Sequence, residues 1–389
     1  MSARVVILGG SFGGLATAHA LLLRHRLGAR VQVTLLDRRP QFVYSPSLVW
    51  VITGRRQPAE LLYTRAALAR AGASLRTTEV RELNAERREI VTNEGSIAWD
   101  FLVVALGAEP DLEAVPGAAG AGIHFHSLDG AQRWASALRS MNGGRVGILV
   151  GGLPFRCPYG PYEMALVTDG MLRRAGVRGG WSIDIYTPER QPMQACGPGA
   201  SARLARLLSK RGVGVWTGRR PRAVEQGSGG IRISFGGGVV SDCDLLGFIP
   251  RMRAPQVLHD SGLLSADGWI TPADGTLRTH LPRVAALGDV TSFGPPGGEP
   301  LPKLGMIAHM GGRVVADNLA ADVLQGQWGQ RRLKFRFGGL VATGPAEAAL
   351  LHARATNSGV LRSRLSRPSL LGHLMKGVVE RRLLRPWRE

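Results

Sequence analysis

A glycine-rich turn between an apolar run and a helix-forming segment constrains this chain most. Val5-Val6-Ile7-Leu8 is followed by Gly9-Gly10-Ser11-Phe12-Gly13-Gly14 and then by Leu15-Ala16-Thr17-Ala18-His19-Ala20-Leu21-Leu22-Leu23. A short run that is apolar throughout suits a parallel strand covered on both faces. Val31-Gln32-Val33-Thr34-Leu35-Leu36 is a second strand, closed by Asp37. Strand, turn, helix and strand make a βαβ start. In such a turn one glycine permits the bend, a second lets backbone approach a pyrophosphate, and a third lets helix pack on strand. The spacing puts Gly9, Ser11 and Gly14 at these points, with Gly10 and Gly13 beside them. Ser11 is a departure, but its hydroxyl is small and can donate to phosphate. The helix N-terminus at Gly13–Gly14 adds amide donors and a favourable dipole. Asp37, 23 residues past Gly14, is the acid expected to bind a ribose hydroxyl.

A second βαβ start lies about 140 residues on, at Arg145-Val146-Gly147-Ile148-Leu149-Val150-Gly151-Gly152, with Trp181–Thr187 as its second strand. A helix is expected from near Pro161, and another over 303–325. The reading is an α/β chain with two Rossmann-like domains. Its divisions are 1–110 and 251–330 for the two parts of the first domain, 111–250 for the second, and 331–389 for a basic amphipathic C-terminal segment. With 389 residues, two or three domains are allowed. Three cysteines cannot build a disulfide scaffold and point to a reducing compartment. No run approaches the roughly 18 apolar residues of a spanning helix, and Val5–Leu8 is too short for a signal-peptide core.

Later segments narrow the cofactor. Asp100-Phe101-Leu102-Val103-Val104-Ala105-Leu106-Gly107-Ala108 resembles the strand ending in Ala-Thr-Gly of flavoproteins with two dinucleotide domains. Ala285-Ala286-Leu287-Gly288-Asp289-Val290 resembles the Gly-Asp segment that contacts the FAD ribityl and pyrophosphate region. Pro302-Lys303-Leu304-Gly305 resembles the segment behind the pyrimidine end of the flavin, and Phe42-Val43-Tyr44-Ser45-Pro46 the loop beside the isoalloxazine. In this order the segments span about residues 4–325. The chain resembles the sulfide:quinone oxidoreductase-like group of FAD-dependent pyridine-nucleotide-disulfide oxidoreductases. The resemblance implies FAD held by Gly9, Gly10, Ser11, Gly13, Gly14, Asp37, Pro46, Gly107, Gly288, Asp289 and Lys303. It further implies transfer of electrons from a small donor, such as sulfide or another thiol, to a quinone.

The second turn departs from nucleotide binding. Leu153-Pro154-Phe155-Arg156-Cys157-Pro158-Tyr159-Gly160-Pro161 puts prolines and bulk where glycines would admit pyrophosphate, and Glu189 stands two residues beyond Thr187. This argues against a type II NADH:quinone reductase, although an NAD(P)H:acceptor reductase and a flavin-binding protein without turnover stay as alternatives. The loop resembles the family's Cys, Gly/Pro, aromatic and Glu pattern. That likeness implies that Cys157 handles sulfur beside the flavin, with its pKa lowered by the helix N-terminus after Pro161. On the residues alone Cys157 is equally a packed thiol. The family's other two cysteines have no counterpart in Phe125-His126-Ser127-Leu128-Asp129 or in Phe335-Arg336-Phe337-Gly338-Gly339-Leu340, and Cys196 and Cys243 read as small partly buried residues away from the pattern. His309 reads as a polar helix-face residue with a proton-relay role as the alternative. His124 and His126, at period two, are expected on one side of a strand. No metal motif appears.

The net charge is +20, and residues 331–389 hold 13 basic and 3 acidic residues, a net of +10. Leu370, Leu371, Leu374, Met375, Val378, Val379 and Leu383 recur at helical spacing after Pro368. His373, Lys376, Glu380, Arg381, Arg382 and Arg385 fill much of the rest, and Trp387 follows. This composition suits a helix in a membrane interface, and equally a surface helix packed on the protein. The expectation is docking of 360–389 on an anionic membrane, at the cytoplasmic, inner face of the plasma membrane. A second copy of the chain stays an open option, and nucleic acid is not an expected partner.

Overall fold

β1 (Ala3–Leu8) is the centre of the first sheet because Val5, Val6, Ile7 and Leu8 can be covered from both sides; each is at most 1% exposed. The computed structural model describes residues 2–24, 27–356 and 359–388. After β1 the chain forms α1 (Phe12–Leu22), β2 (Val31–Asp37), β3 (Ser74–Thr77) and β4 (Phe101–Val104). The parallel sheet has the order β4-β1-β2-β3, and a fifth strand reaches β4 from residues 284–286. The first domain is therefore closed by chain that has already been through the second.

The crossing is made at β5 (Glu109–Asp111). The second sheet then follows as β6 (Gly144–Val150), α2 (Gly160–Arg174), β7 (Trp181–Tyr186), α3 (Pro198–Lys210) and β8 (Gly214–Trp216). An antiparallel layer of β9 (Pro221–Gly227), β10 (Gly230–Phe235) and β11 (Val240–Cys243) comes next, turning at the glycines of 227–230 and 236–238. β12 (Leu245–Ile249) completes a parallel order of β8-β7-β6-β12. β13 (Arg251–Arg253) pairs antiparallel with β5, so the outgoing and returning chains form one ribbon.

β14 (Val284–Ala286) and α4 (Gly305–Gln325) finish the first domain. α4 starts at Gly305 because Leu304, its N-cap, is extended. It crosses α1 at glycines: a Cβ on Gly312 would stand 2.4 Å from the Gly13 carbonyl oxygen and 2.9 Å from the Ala16 Cβ.

Residues beyond 331 differ from the helical tail expected. They form an antiparallel sheet of β15 (Arg336–Gly344), β16 (Glu347–Ala355) and β17 (Leu361–Leu365), followed by α5 (Leu370–Arg388). The apolar stripe of α5 faces outward. Leu370, Leu371, Leu374, Met375 and Val378 are 39–68% exposed, whereas His373, Lys376 and Glu380 are buried. Each of these side chains meets a partner, which offsets part of its desolvation, while His373 Nδ1 and Glu380 Oε2 have none among the described residues. Lys376 Nζ lies 2.7 Å from Glu163 Oε1, His373 meets Arg55, and Glu380 meets Arg56. The Trp387 side chain lies outside the described residues. Among the described residues no helix is long and apolar enough to cross a membrane.

Candidate functional site

The C-terminal ends of β1 and β4, the start of α4 and the Cys157 loop enclose a cavity of about 920 Å³, at the upper end for small-molecule and cofactor sites. Gly9, Gly10, Ser11, Gly13, Asp37, Pro46, Gly107, Cys157, Gly288, Asp289 and Lys303 all stand on its wall. Gly14 lies behind it, where a Cβ would be 1.8 Å from the Gly9 carbonyl oxygen. It supplies the close helix-on-strand approach that a dinucleotide turn needs. The residues present therefore fit FAD.

At the ribose end Asp37 is more occupied than a free ribose acceptor. Its Oδ2 accepts from Gly10 N–H at 2.7 Å and lies 3.1 Å from Arg65, while Oδ1 accepts from Arg39 N–H at 2.8 Å. Arg65 also donates to the carbonyls of Gly10 and Arg39 and is 7% exposed. This buried guanidinium beside the glycine turn carried no sequence signal, because Tyr63-Thr64-Arg65 matches no motif. At the other end Lys303 Nζ donates to the Asp289 carbonyl at 2.6 Å and lies 3.3 Å from the Trp269 ring centroid. Burial pulls its pKa down to about 8. Arg156 bridges Asp289 and the Ala108 carbonyl, so the Cys157 loop is tied across the cavity mouth.

Cys157 has φ +60°, a left-handed conformation that few non-glycine residues adopt. Its N–H donates to the Lys303 carbonyl at 3.0 Å and its carbonyl accepts from Gly160 N–H at 2.7 Å. The expected lowering of its pKa does not hold. Burial pushes the thiol up, and Glu163 adds to this, against Lys376 and the Tyr159 hydroxyl and N–H that bond the sulfur. The helix start helps little because Pro161 has no N–H and the N–H groups of Gly160 and Glu163 are taken by the Cys157 and Tyr159 carbonyls. Tyr159 sits over Gly339: its hydroxyl is 3.0 Å from where a Gly339 Cβ would stand.

Cys196 is fully buried where partial burial is expected, and that burial pushes its thiol up, with Cys157 and Glu189 adding to the shift. Cys243 packs against Gly147 in the second domain. His124 and His126 lie in a turn ahead of the Ser127-capped helix Leu128–Ser140, not on a strand, with ring centroids 6.1 Å apart. Both face the cavity, and burial lowers their pKa values to about 4 and about 3. His126 Nε2 is 2.5 Å, and Cys157 Cβ 3.6 Å, from the position of a Gly160 Cβ. His309 lines the opposite wall with Nδ1 buried and unpartnered among the described residues.

The second dinucleotide cradle is filled by its own side chains. A Cβ at Gly152 would meet Arg251, which pairs with Asp111, and one at Gly151 would meet Phe248 at 2.9 Å. Glu189, at the ribose position after β7, is 3% exposed and accepts from the Tyr162 hydroxyl, the Thr187 hydroxyl and Gln194 N–H.

Residues 3–312 match the pyridine nucleotide-disulphide oxidoreductase family, and the chain belongs to it. It is an oxidoreductase with two Rossmann-like domains, and FAD is its cofactor. The demethylphylloquinone reductase NdbB of Synechocystis is 29% identical over 208 residues, which are 49% of this chain and about half of that protein. The sulfide-quinone reductase of Aquifex aeolicus is 24% identical over 83% of this chain and 77% of its own length. The alternative NAD(P)H-ubiquinone oxidoreductase C1 of Arabidopsis thaliana is 26% identical over 89% and 72%. Among solved structures, the sulfide:quinone oxidoreductase of Aquifex aeolicus superposes with a TM-score of 0.86 at 20% identity, covering 99% of this chain and 91% of that one.

Proposed function

We propose that this flavoprotein takes electrons from a small reduced donor, sulfide or another thiol, and delivers them to a quinone at the inner, cytoplasmic face of the plasma membrane. The observation that carries the choice of donor is a pairing. The nucleotide cradle of the second domain is filled by Arg251 and Tyr162, while the same domain sends Cys157 onto the wall of the FAD cavity. A donor that fits is small enough to enter that cavity. The quinone follows from the relatives, three of which carry a quinone in their names.

FAD, when bound, supplies the two-electron exchange. Tyr159 orients the Cys157 sulfur through its N–H and hydroxyl, and the left-handed turn at Cys157 fixes the loop against Lys303. Making a quinol from a quinone takes two protons with the two electrons. Glu163, Lys376 and His309 are among the ionisable side chains on the wall that can hold a proton. The membrane assignment rests on α5, whose exposed leucines would enter the interface while Arg381, Arg382 and Arg385 stay outside.

The test is anaerobic reduction of the FAD-loaded protein by sulfide and by NADH, followed by reoxidation with a soluble quinone. Sulfide should bleach the flavin, and Cys157→Ser should abolish the bleaching with FAD retained. If NADH is the faster reductant, the chain is an NAD(P)H:acceptor reductase. If neither reduces it, the protein binds flavin without turnover.

A further inference from the structure

The outer face of the C-terminal sheet carries like charges in register. Arg336 pairs with Arg354, and Arg354 with Arg362, so three arginines lie in one row across β15, β16 and β17. The next outward row sets His352 beside Arg364. All five side chains are exposed. Among the described residues none of these arginines has an ion pair or side-chain hydrogen bond, and no acid stands in either row. Adjacent strands are about 4.8 Å apart, so the Cα atoms of the three arginines span only about 10 Å. Like charges directly opposite one another destabilise a sheet.

The second domain shows the ordinary arrangement in this same chain. In β9–β10–β11 the matching row reads Glu225, Arg232 and Asp242, with Arg232 bonded to Asp242 at 2.9 Å. An arginine-rich composition therefore does not by itself leave arginines unpaired across strands.

We propose that this arginine row binds the phosphate groups of anionic phospholipids. The guanidinium fork matches phosphate oxygens, and an anion bridging the row would offset the repulsion. A lipid surface is the occupant because the basic face runs into an apolar one. Leu350, two residues before His352 on the same side of β16, is 44% exposed. Ser369, just before α5, bridges Ala348, and Leu370 and Leu371 beyond it are 60% and 68% exposed. A bilayer meets both halves, with leucines at the acyl boundary and arginines at the phosphates. A soluble polyanion would have no use for the leucines. The proposal rests on the membrane reading above and adds which lipid chemistry is read and by which strands.

The test is co-sedimentation of the FAD-loaded protein with phosphatidylcholine vesicles, with and without phosphatidylglycerol. A variant combining Arg336→Gln, Arg354→Gln, Arg362→Gln and Arg364→Gln is compared with Leu371→Ser combined with Leu374→Ser. The arginine variant should lose the preference for phosphatidylglycerol, roughly five-fold in affinity per arginine. It should keep its flavin and its reoxidation by soluble quinone, which report the fold. The leucine variant should weaken on both vesicles. An arginine variant that keeps the full preference overturns the proposal and leaves the membrane reading standing. Wild-type protein that binds neither vesicle overturns both. Wild-type binding to inorganic polyphosphate without vesicle binding assigns the row to a soluble polyanion and also overturns it.

Discussion

Gly10 and Gly14 belong to one turn, yet a methyl group at each would meet different neighbours. At Gly14 it would lie 1.8 Å from the Gly9 carbonyl, which is backbone and cannot step aside. At Gly10 it would meet the Arg65 guanidinium at 2.4 Å, the far end of a long side chain and not backbone. Gly14→Ala should therefore yield protein without flavin absorbance, and Gly10→Ala protein that still binds FAD; equal occupancy in the two would refute this reading of the turn. The glycines and Asp37 were legible because their spacing follows from how a backbone approaches a phosphate. Arg65 was not, because its role comes from a fold-over of 28 residues after Asp37. The histidines offer a test by pH. Burial keeps His124 and His126 neutral until about pH 4 and about pH 3, against an ordinary 6.5. Between those values and 6.5 the unfolded chain binds more protons than the folded one. Stability should then fall on acidification through this window, by up to about 1.4 kcal/mol per pH unit for each ring. His126→Gln should flatten that slope in urea unfolding, and an unchanged slope would mean that the ring is not held neutral.

α5 shows what periodicity can and cannot tell at the scale of an element. The spacing of Leu370, Leu371, Leu374 and Val378 marks one apolar stripe, but a stripe does not say which way it faces. Here the polar stripe faces inward, because Glu163, Arg55 and Arg56 wait there as partners from distant parts of the chain. The inversion has an energetic signature. Leu371→Ser should change stability by less than about 0.5 kcal/mol, as for an exposed site. Arg56→Ala strips Glu380, itself 0% exposed, of its cation and should cost roughly 3–5 kcal/mol. Urea unfolding of the two variants decides it; a leucine variant that costs more than the arginine variant would mean the helix packs by its apolar side. The same contacts make removal of residues 360–389 a poor probe of membrane binding. That deletion takes away β17 and the Lys376 partner of Glu163, so point substitutions are needed.

For the whole molecule, two βαβ starts about 140 residues apart were enough to read two domains, because each strand–turn–helix carries its own pattern. The C-terminal sheet is only faintly legible: Leu361-Arg362-Ser363-Arg364-Leu365 alternates at period two, but the run is short and its arginines equally suit a basic surface helix. The closure of the second cradle was legible in part. Prolines after Gly152 pointed to it, but the capture of Glu189 by Tyr162, Thr187 and Gln194 needed the folded chain. That closure governs how the molecule responds to nucleotides. A ligand that binds only the folded state, present at 100 times its Kd, stabilises by about 2.7 kcal/mol, which raises the melting temperature by several degrees. FAD should produce such a rise in protein stripped of flavin, because its cavity is open. NADH and NADPH should produce none in the FAD-loaded protein, because Arg251 stands over Gly152 and the Glu189 carboxylate has no free face for a ribose. A saturable rise with either nucleotide would mean that the cradle opens in solution, and would put the nicotinamide donor ahead of sulfide.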